Sequence, residues 1–254
     1  MLVITPIPAL HDNYIWLILH PDSQHVLVVD PGEAGPVIEH LQENHYKLSG
    51  ILLTHHHWDH TDGVPALLHH TSVPVYGPAS IEGVTHPVCE NDLVQFENPS
   101  CQFKVLEIPG HTLDHIAYVG ENLIFCGDTL FTGGCGRVFE GTADQMFRSL
   151  SKLATLPPEY AVYCAHEYTE ANLRFAKMIE PNNTALLKRI ESVTKMRSKE
   201  EPTVPAPLSL ELATNPFLRC DQAAVIQAAS QHAQKELSTP VTVFTEIRGW
   251  KSSL

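Results

Sequence analysis

Residues 54–63 read THHHWDHTDG and place four histidines and two aspartates in ten positions, directly after the apolar run GILL. Imidazole and carboxylate groups are the side chains that hold divalent cations without thiolates. His55 and His57 are two apart, so on a chain leaving a strand they face the same way. Asp59 and His60 follow closely enough to serve a second centre, and one short loop can therefore hold two metals. The bland alternative is a hydrogen-bonded His cluster turned to solvent. Three more apolar runs end on residues of the same kind: EIPGHT at His111, LIFCGDT at Asp128 and YCAHE at His166. Taken singly, His111 could follow a turn at Pro109 and Gly110, Asp128 could cap a helix, and His166 could be a satisfied core histidine. Four strand ends carrying His or Asp together point to one site, because ligands bind where the carboxyl ends of strands converge.

The elements that must position these residues are short apolar runs: YIWLIL, HVLVVD, GILLT, VPVYG, FKVLEIPG, LIFCGD and AVYCAHE read as strands. GPVIEHLQEN, GVPALLHH and TADQMFRSLSKLATL, with Thr142 or Asp144 near its start, have helical spacing. Their alternation predicts an α/β fold. After His166 the pattern becomes helical, with a break at Pro181 and Asn182-Asn183, and EEPTVPAPLSLEL reads as a Pro-rich surface loop. Two domains are expected, 1–166 with the metal-capable residues and 167–254 helical.

The chain has 254 residues, 16 Lys+Arg against 29 Asp+Glu and a formal charge of −13. That balance speaks against nonspecific nucleic-acid binding and against an anionic membrane surface, and favours a small-molecule partner. No Lys or Arg precedes Lys47, no run is long and apolar enough to span a membrane, and the six cysteines form no C-x-x-C pair. A cytoplasmic protein with reduced core thiols, without a nucleic-acid or membrane partner and monomeric, is expected.

The pattern H-x-H-x-D-H, then His after Pro-Gly, then G-D-T, then a late His resembles the metallo-β-lactamase fold superfamily. THHHWDH, PGHTLDH, the stretch from FCGDTLF through GCGR to FEGT, AHEYT, TNPFLR and the terminal RGWK together resemble the glyoxalase II (hydroxyacylglutathione hydrolase) branch, from HDNYIW almost to the C-terminus. The resemblance implies a four-layer αβ/βα sandwich with a C-terminal helical domain. It implies that His55, His57 and His111 bind one metal, that Asp59, His60 and His166 bind the other, and that Asp128 bridges them. Asp59 would also orient the attacking hydroxide. His56 would pack or support from behind, and Asp30 would either orient a ligand or start a turn. Two divalent ions are implied, zinc first, with iron and manganese as alternatives that suit the same donors.

The reaction implied is hydrolysis of S-(R)-lactoylglutathione, or a similar 2-hydroxyacyl thioester, to glutathione and the hydroxy acid, the second step of methylglyoxal disposal. Two metals about 3.5–4 Å apart lower the pKa of a shared water toward roughly 7, and no G-x-S-x-G elbow offers a competing nucleophile. Arg137, Tyr168, Arg248 and Lys251 correspond to the family's partners for glutathione. Phe139 stands where some members carry Tyr, so a phenol hydrogen bond to substrate is not expected. The alternatives are another hydrolase of the superfamily, such as a lactamase or lactonase, a mononuclear-iron persulfide dioxygenase, and a metal-buffering protein built on the 16 histidines.

Overall fold

The computed structural model describes all residues, 1–254. Its contacts divide the chain into two units, Met1–Glu107 with Asp114–Gly127, and Ile108–Leu113 with Asp128–Leu254. The boundary expected at 166/167 falls inside the second of these, which takes in residues 128–166 as well as the helices.

The first unit contains β1 (Val3–Ala9), β2 (Asn13–Leu19), β3 (His25–Val29), α1 (Ala34–Glu43), β4 (Lys47–Leu52), α2 (Trp58–Thr61) and α3 (Val64–His70). It continues with β5 (Val75–Gly77), β6 (His86–Pro87), β7 (Leu93–Glu97), β8 (Ser100–Glu107), β9 (Ile116–Gly120) and β10 (Leu123–Gly127). One sheet runs in the order β1 to β6, antiparallel through β3 and parallel from β3 to β6. The parallel part is what the crossover helix α1 requires. β2 and β3 are buried on both faces and are accordingly near-continuous apolar runs. Alternate residues Val26 and Val28 face a core with Val37 of α1 and Val64 and Leu67 of α3. Strands β10, β9, β8 and β7 follow one another in a second sheet. β8 alternates buried and exposed positions, the mark of a strand with one wet face. Tyr118 of β9, fully buried, donates to the carbonyls of Leu53 at 3.0 Å and Tyr76 at 3.1 Å, so it ties down the carboxyl ends of β4 and β5.

The second unit contains β11 (Leu130–Phe131), β12 (Gly134–Cys135), α4 (Ala143–Ala154), β13 (Ala161–Cys164), α5 (Thr169–Ile179) and α6 (Thr184–Arg197). β14 (Ala206–Pro207), α7 (Leu208–Thr214), a 3-10 turn (Pro216–Leu218), α8 (Ala223–Ala233) and α9 (Pro240–Ser252) complete it. α4 begins at a capping box in which Thr142 and Gln145 satisfy each other's backbone N–H. α5 and α6 pack through Leu173, Ala176, Leu186 and Val193, with Asn183 capping α6 where the break was expected.

Three expectations need correction. β1 was not anticipated, because it carries Pro6 and Pro8; it is an edge strand, where missing donors are tolerated. The Pro-rich stretch after Glu200 is no surface loop: Val204, Ala206 and Leu208 are buried, β14 pairs with β13, and α7 follows. Proline removes donors rather than apolar character, and here it shapes a buried segment. Among the cysteines, which are all free, five are buried as expected but Cys89 is exposed.

Candidate metal centre

In the first unit β3 and β4 are parallel neighbours with Val29 opposite Leu52, so the residues that follow them emerge side by side. Asp30, 4% exposed and in the left-handed region at φ 52°, leaves β3 and meets Thr54. It accepts from Thr54 N at 2.8 Å and from Thr54 Oγ1 at 2.7 Å. Because that hydroxyl proton goes to a carboxylate, Thr54 Oγ1 accepts from His55 Nδ1 at 3.0 Å. His55 Nε2 then carries the lone pair, and it lies 3.1 Å from His57 Nδ1. Asp30 also accepts from His60 Nδ1 at 3.0 Å, which leaves the Nε2 lone pair of His60 for a cation. Asp30 therefore orients two metal-capable histidines, His60 directly and His55 through Thr54, and its carbonyl accepts from Gly32 N at 2.9 Å in a turn, so both roles left open above are present. The left-handed conformation costs about 1–3 kcal/mol for a residue with a side chain and is held by these bonds.

Asp59 and His60 sit on the single turn α2, with Asp59 Oδ2 3.6 Å from His60 Nε2. Asn13 donates to Asp59 Oδ2 at 3.1 Å and to its carbonyl at 3.3 Å. A Cβ on Gly32 would stand 1.8 Å from the Asp59 carbonyl oxygen, so only glycine lets the turn after Asp30 come this close. His56 is exposed, and rather than pointing away from its neighbours its ring meets the His57 ring edge-on, with centroids 5.2 Å apart.

In the second unit Asp128 lies between two imidazoles, with Oδ2 3.4 Å from His111 Nε2 and Oδ1 3.3 Å from His166 Nε2. All three residues are at least nine-tenths buried. His111 Nδ1 donates to the Arg137 carbonyl at 2.8 Å, and since a carbonyl only accepts, His111 Nε2 holds a lone pair directed at a carboxylate. Two acceptors facing each other are stable when a cation or a proton lies between them. Buried imidazoles whose far nitrogens are pinned by oxygen acceptors are the usual form of a metal ligand, so the donor set fits divalent cations in both units. A Cβ on Gly136 would sit 1.9 Å from the Asp128 carbonyl oxygen and 3.2 Å from His111 Nδ1, so this glycine is a condition of the packing. His166 is backed by Tyr168, whose ring stacks on it at 4.8 Å and 3°.

His111 and Asp128 line a cavity of about 470 Å³ together with Arg137, Tyr168, Arg248 and Lys251. These four are the residues expected to contact substrate, and all belong to the second unit. Arg248 and Lys251 share one side of α9, as their spacing predicts. Arg248 is 6% exposed and donates to the Cys135 carbonyl at 3.0 Å and to Ser252 Oγ at 3.2 Å. Lys251 Nζ donates to Asn172 Oδ1, and Asn172 Nδ2 donates to the Thr132 carbonyl at 3.0 Å. Burial pulls Lys251 down to about 8, with Arg248 and Arg137 pulling the same way against Cys135. Phe139 is 62% exposed at the cavity edge, its ring edge-on to His111 at 5.2 Å. Sequence reading missed Asn13, Thr54, His115 and Asn172 as supports. Asn13 and His115 lie inside the motifs HDNYIW and PGHTLDH, but nothing in their types announces a supporting role.

A sequence profile described as metallo-beta-lactamase superfamily matches residues 10–166, and one described as hydroxyacylglutathione hydrolase C-terminus matches residues 167–254. The hydroxyacylglutathione hydrolase of Nitrosomonas eutropha (strain DSM 101675 / C91 / Nm57) is 51% identical over 255 residues, covering 100% of this chain and 99% of that one. The hydroxyacylglutathione hydrolase of Aliivibrio fischeri (strain MJ11) is 50% identical, covering 99% of each. Among solved structures, a metallo-beta-lactamase from Staphylococcus aureus subsp. aureus COL superposes with a TM-score of 0.66 over 98% of this chain and 71% of that one. At 18% identity this likeness shows the fold alone, mixed α/β sheets of the metallo-β-lactamase type, here followed by a helical C-terminal part. The fold class expected from the sequence holds, and with full-length identities near one half, the chain belongs to the hydroxyacylglutathione hydrolases of the metallo-β-lactamase superfamily.

Proposed function

We propose that the chain hydrolyses S-(R)-lactoylglutathione and related 2-hydroxyacyl thioesters to glutathione and the free hydroxy acid, in the cytoplasm and as a monomer, within methylglyoxal detoxification. The observation that carries this reading is one cavity in which His111 and Asp128 stand with Arg137, Tyr168, Arg248 and Lys251. An acidic protein that gathers three cationic side chains beside a cation-seeking pair is suited to an anionic substrate with a reactive carbonyl. The full-length relatives named for this reaction favour it over the lactamase, persulfide dioxygenase and metal-buffer alternatives.

In this reading His55, His57 and His111 hold one divalent cation and Asp59, His60 and His166 the other, with Asp128 shared. Zinc is the first choice, and iron or manganese suit the same donors. When bound, such a pair lowers the pKa of a water toward roughly 7 and polarises the substrate carbonyl. Asp59, fixed by Asn13, accepts a hydrogen bond from the attacking water and aims it. Arg137, Arg248 and Lys251 take the glutathione carboxylates while Tyr168 offers a phenol. The leaving thiolate needs no strong acid, since a free thiol ionises at about 8.5. The part from 167 to the C-terminus serves substrate recognition and residues 1–166 supply the metal-binding part. No helix of the chain is long and apolar enough to cross a membrane.

The test is thioester hydrolysis followed in the ultraviolet on protein of measured metal content. Lys251→Ala and Arg248→Ala/Lys251→Ala are expected to raise KM roughly 10- to 100-fold, the worth of one or two charged hydrogen bonds, at unchanged metal content. A fully metallated wild type that leaves the thioester intact discards the substrate.

A pH effect follows from Lys251. Its pKa of about 8 lies below the ordinary lysine value, so the charge is present at pH 7 and lost as pH rises through 8. Affinity for an unreactive S-alkylglutathione should weaken by about tenfold between pH 7 and 9.5. Lys251→Arg, charged throughout, should flatten that profile in a calorimetric titration. A wild-type profile already flat over this range would remove Lys251 from anion recognition.

A further inference from the structure

Residues 114–116 run antiparallel to the ligand loop and meet it position by position. Ile116 N donates to the Thr54 carbonyl at 2.9 Å. The His115 ring lies on the His55 ring with centroids 4.5 Å apart and 14° between their planes. The Asp114 carboxylate receives His56 Nδ1, at 3.0 Å from each of its oxygens. The register is 116 with 54, 115 with 55 and 114 with 56, so a backbone bond, a ring stack and an ionisable pair back three successive loop residues. Ser80 Oγ then donates to Asp114 Oδ2 at 2.6 Å from outside the loop.

We propose that residues 114–116 form a splint that keeps His55 and His57 in metal-ligating orientation, with Asp114 as the positioning residue at its far end and Ser80 as its brace. The inference rests on the reading of His55 and His57 as ligands. Its physical basis is a contact chain: the His56 ring, held at Nδ1 by Asp114, meets the His57 ring edge-on with centroids 5.2 Å apart, where His57 is extended at φ −61° and ψ 143°. Asp30 secures the start of the loop through Thr54, and α2 begins at its end. Between these two anchors the remaining freedom is a twist about the loop axis, and any such twist swings His57 away from His55. His56 is the lever that resists it, and Asp114 holds the lever. A carboxylate that accepts both the imidazole N–H and the Ser80 hydroxyl has its own orientation set by the second bond.

Asp114 touches neither substrate nor cation in this arrangement, so its removal should act through metal retention. Zinc-loaded, full-length wild type, Asp114→Ala, Asp114→Asn and Ser80→Ala are compared for release of zinc to a chromophoric chelator, with kcat, KM and Tm measured on the same samples. Asp114→Ala is expected to release zinc about 10- to 100-fold faster, the effect of losing an outer partner of a ligand. Its kcat should fall while KM stays within about twofold. Asp114→Asn keeps a neutral acceptor for His56 Nδ1–H and should restore most of the retention, with Ser80→Ala lying between wild type and Asp114→Ala. Wild-type release rates in Asp114→Ala overturn the proposal. Equal losses in the Ala and Asn variants that track Tm alone overturn it too, since they mark general destabilisation. His57→Ala tests the ligand assignment separately: undiminished zinc there overturns that assignment and the splint with it. Wild type that binds zinc but cleaves no thioester overturns the proposed reaction and leaves the splint decided by the release rates.

Discussion

Asp128→Ala is expected to lower kcat/KM by on the order of 10³, about 4 kcal/mol of transition-state stabilisation. The carboxylate presents one oxygen to His111 Nε2 at 3.4 Å and the other to His166 Nε2 at 3.3 Å. Alanine removes the one carboxylate between these two imidazoles, so a cation held there would lose the anionic donor they share. Metal content should therefore fall with activity, by about one cation per chain. KM should change little, because Arg137, Tyr168, Arg248 and Lys251 stay in place around the same cavity. Steady-state kinetics at saturating metal, with elemental analysis of the same sample, separate the two effects. Activity within tenfold of wild type with both cations retained would remove Asp128 from the centre.

Glu211→Ala should be the most damaging substitution for stability. Glu211 is wholly buried, accepts from Gly133 N at 2.8 Å and from Asn215 Nδ2 at 3.1 Å, and pairs with the Arg189 guanidinium. Arg189, 5% exposed, has only Thr214 Oγ1 at 2.6 Å besides. Alanine would strand a buried cation and a backbone N–H together, a loss of about 3–5 kcal/mol. For a chain of this size that corresponds to a Tm lower by roughly 6–20 °C in a thermal scan. Arg189→Met/Glu211→Leu, which removes both charges, should lose less than the single variant. A single variant that melts within 2 °C of wild type, a shift worth less than about 1 kcal/mol, would show that the pair has no such weight.

The metal-capable residues were legible because they break an apolar pattern at the ends of strands, a signal carried by type and spacing alone. His55, His60, His111, Asp128 and His166 are all buried, where an uncompensated polar group would be costly. Arg248 and Lys251 were legible through the resemblance rather than through chemistry, since three-residue spacing on a terminal helix equally describes a solvated basic tail. Glu211 was not legible. In PLSLELAT it reads as the polar side of a helix, and its burial arises from Arg189 and the β11–β12 hairpin, far away in sequence. The same holds for Asp114, whose partners are 34 and 58 residues distant. Proline obscured both β1 and the segment around β14, because a missing N–H looks the same whether it lies at an edge, in a buried turn or in solvent. The contact boundary after Gly127 was hidden because residues 128–166 keep the strand-and-helix rhythm of the residues before them while packing with the helices that follow.

Asp30 serves His60 directly and His55 through Thr54, two histidines assigned above to different cations. The two positions are therefore not independent in descent. A lineage that adapted one of them to another metal by altering Asp30 or Thr54 would disturb the proton on the other ligand in the same step. Changes at Asp30 or Thr54 tune His55 and His60 only as a pair, and a shift in metal preference that spares one of them must begin at the residues that Asp30 does not reach: His57, Asp59, His111, Asp128 and His166.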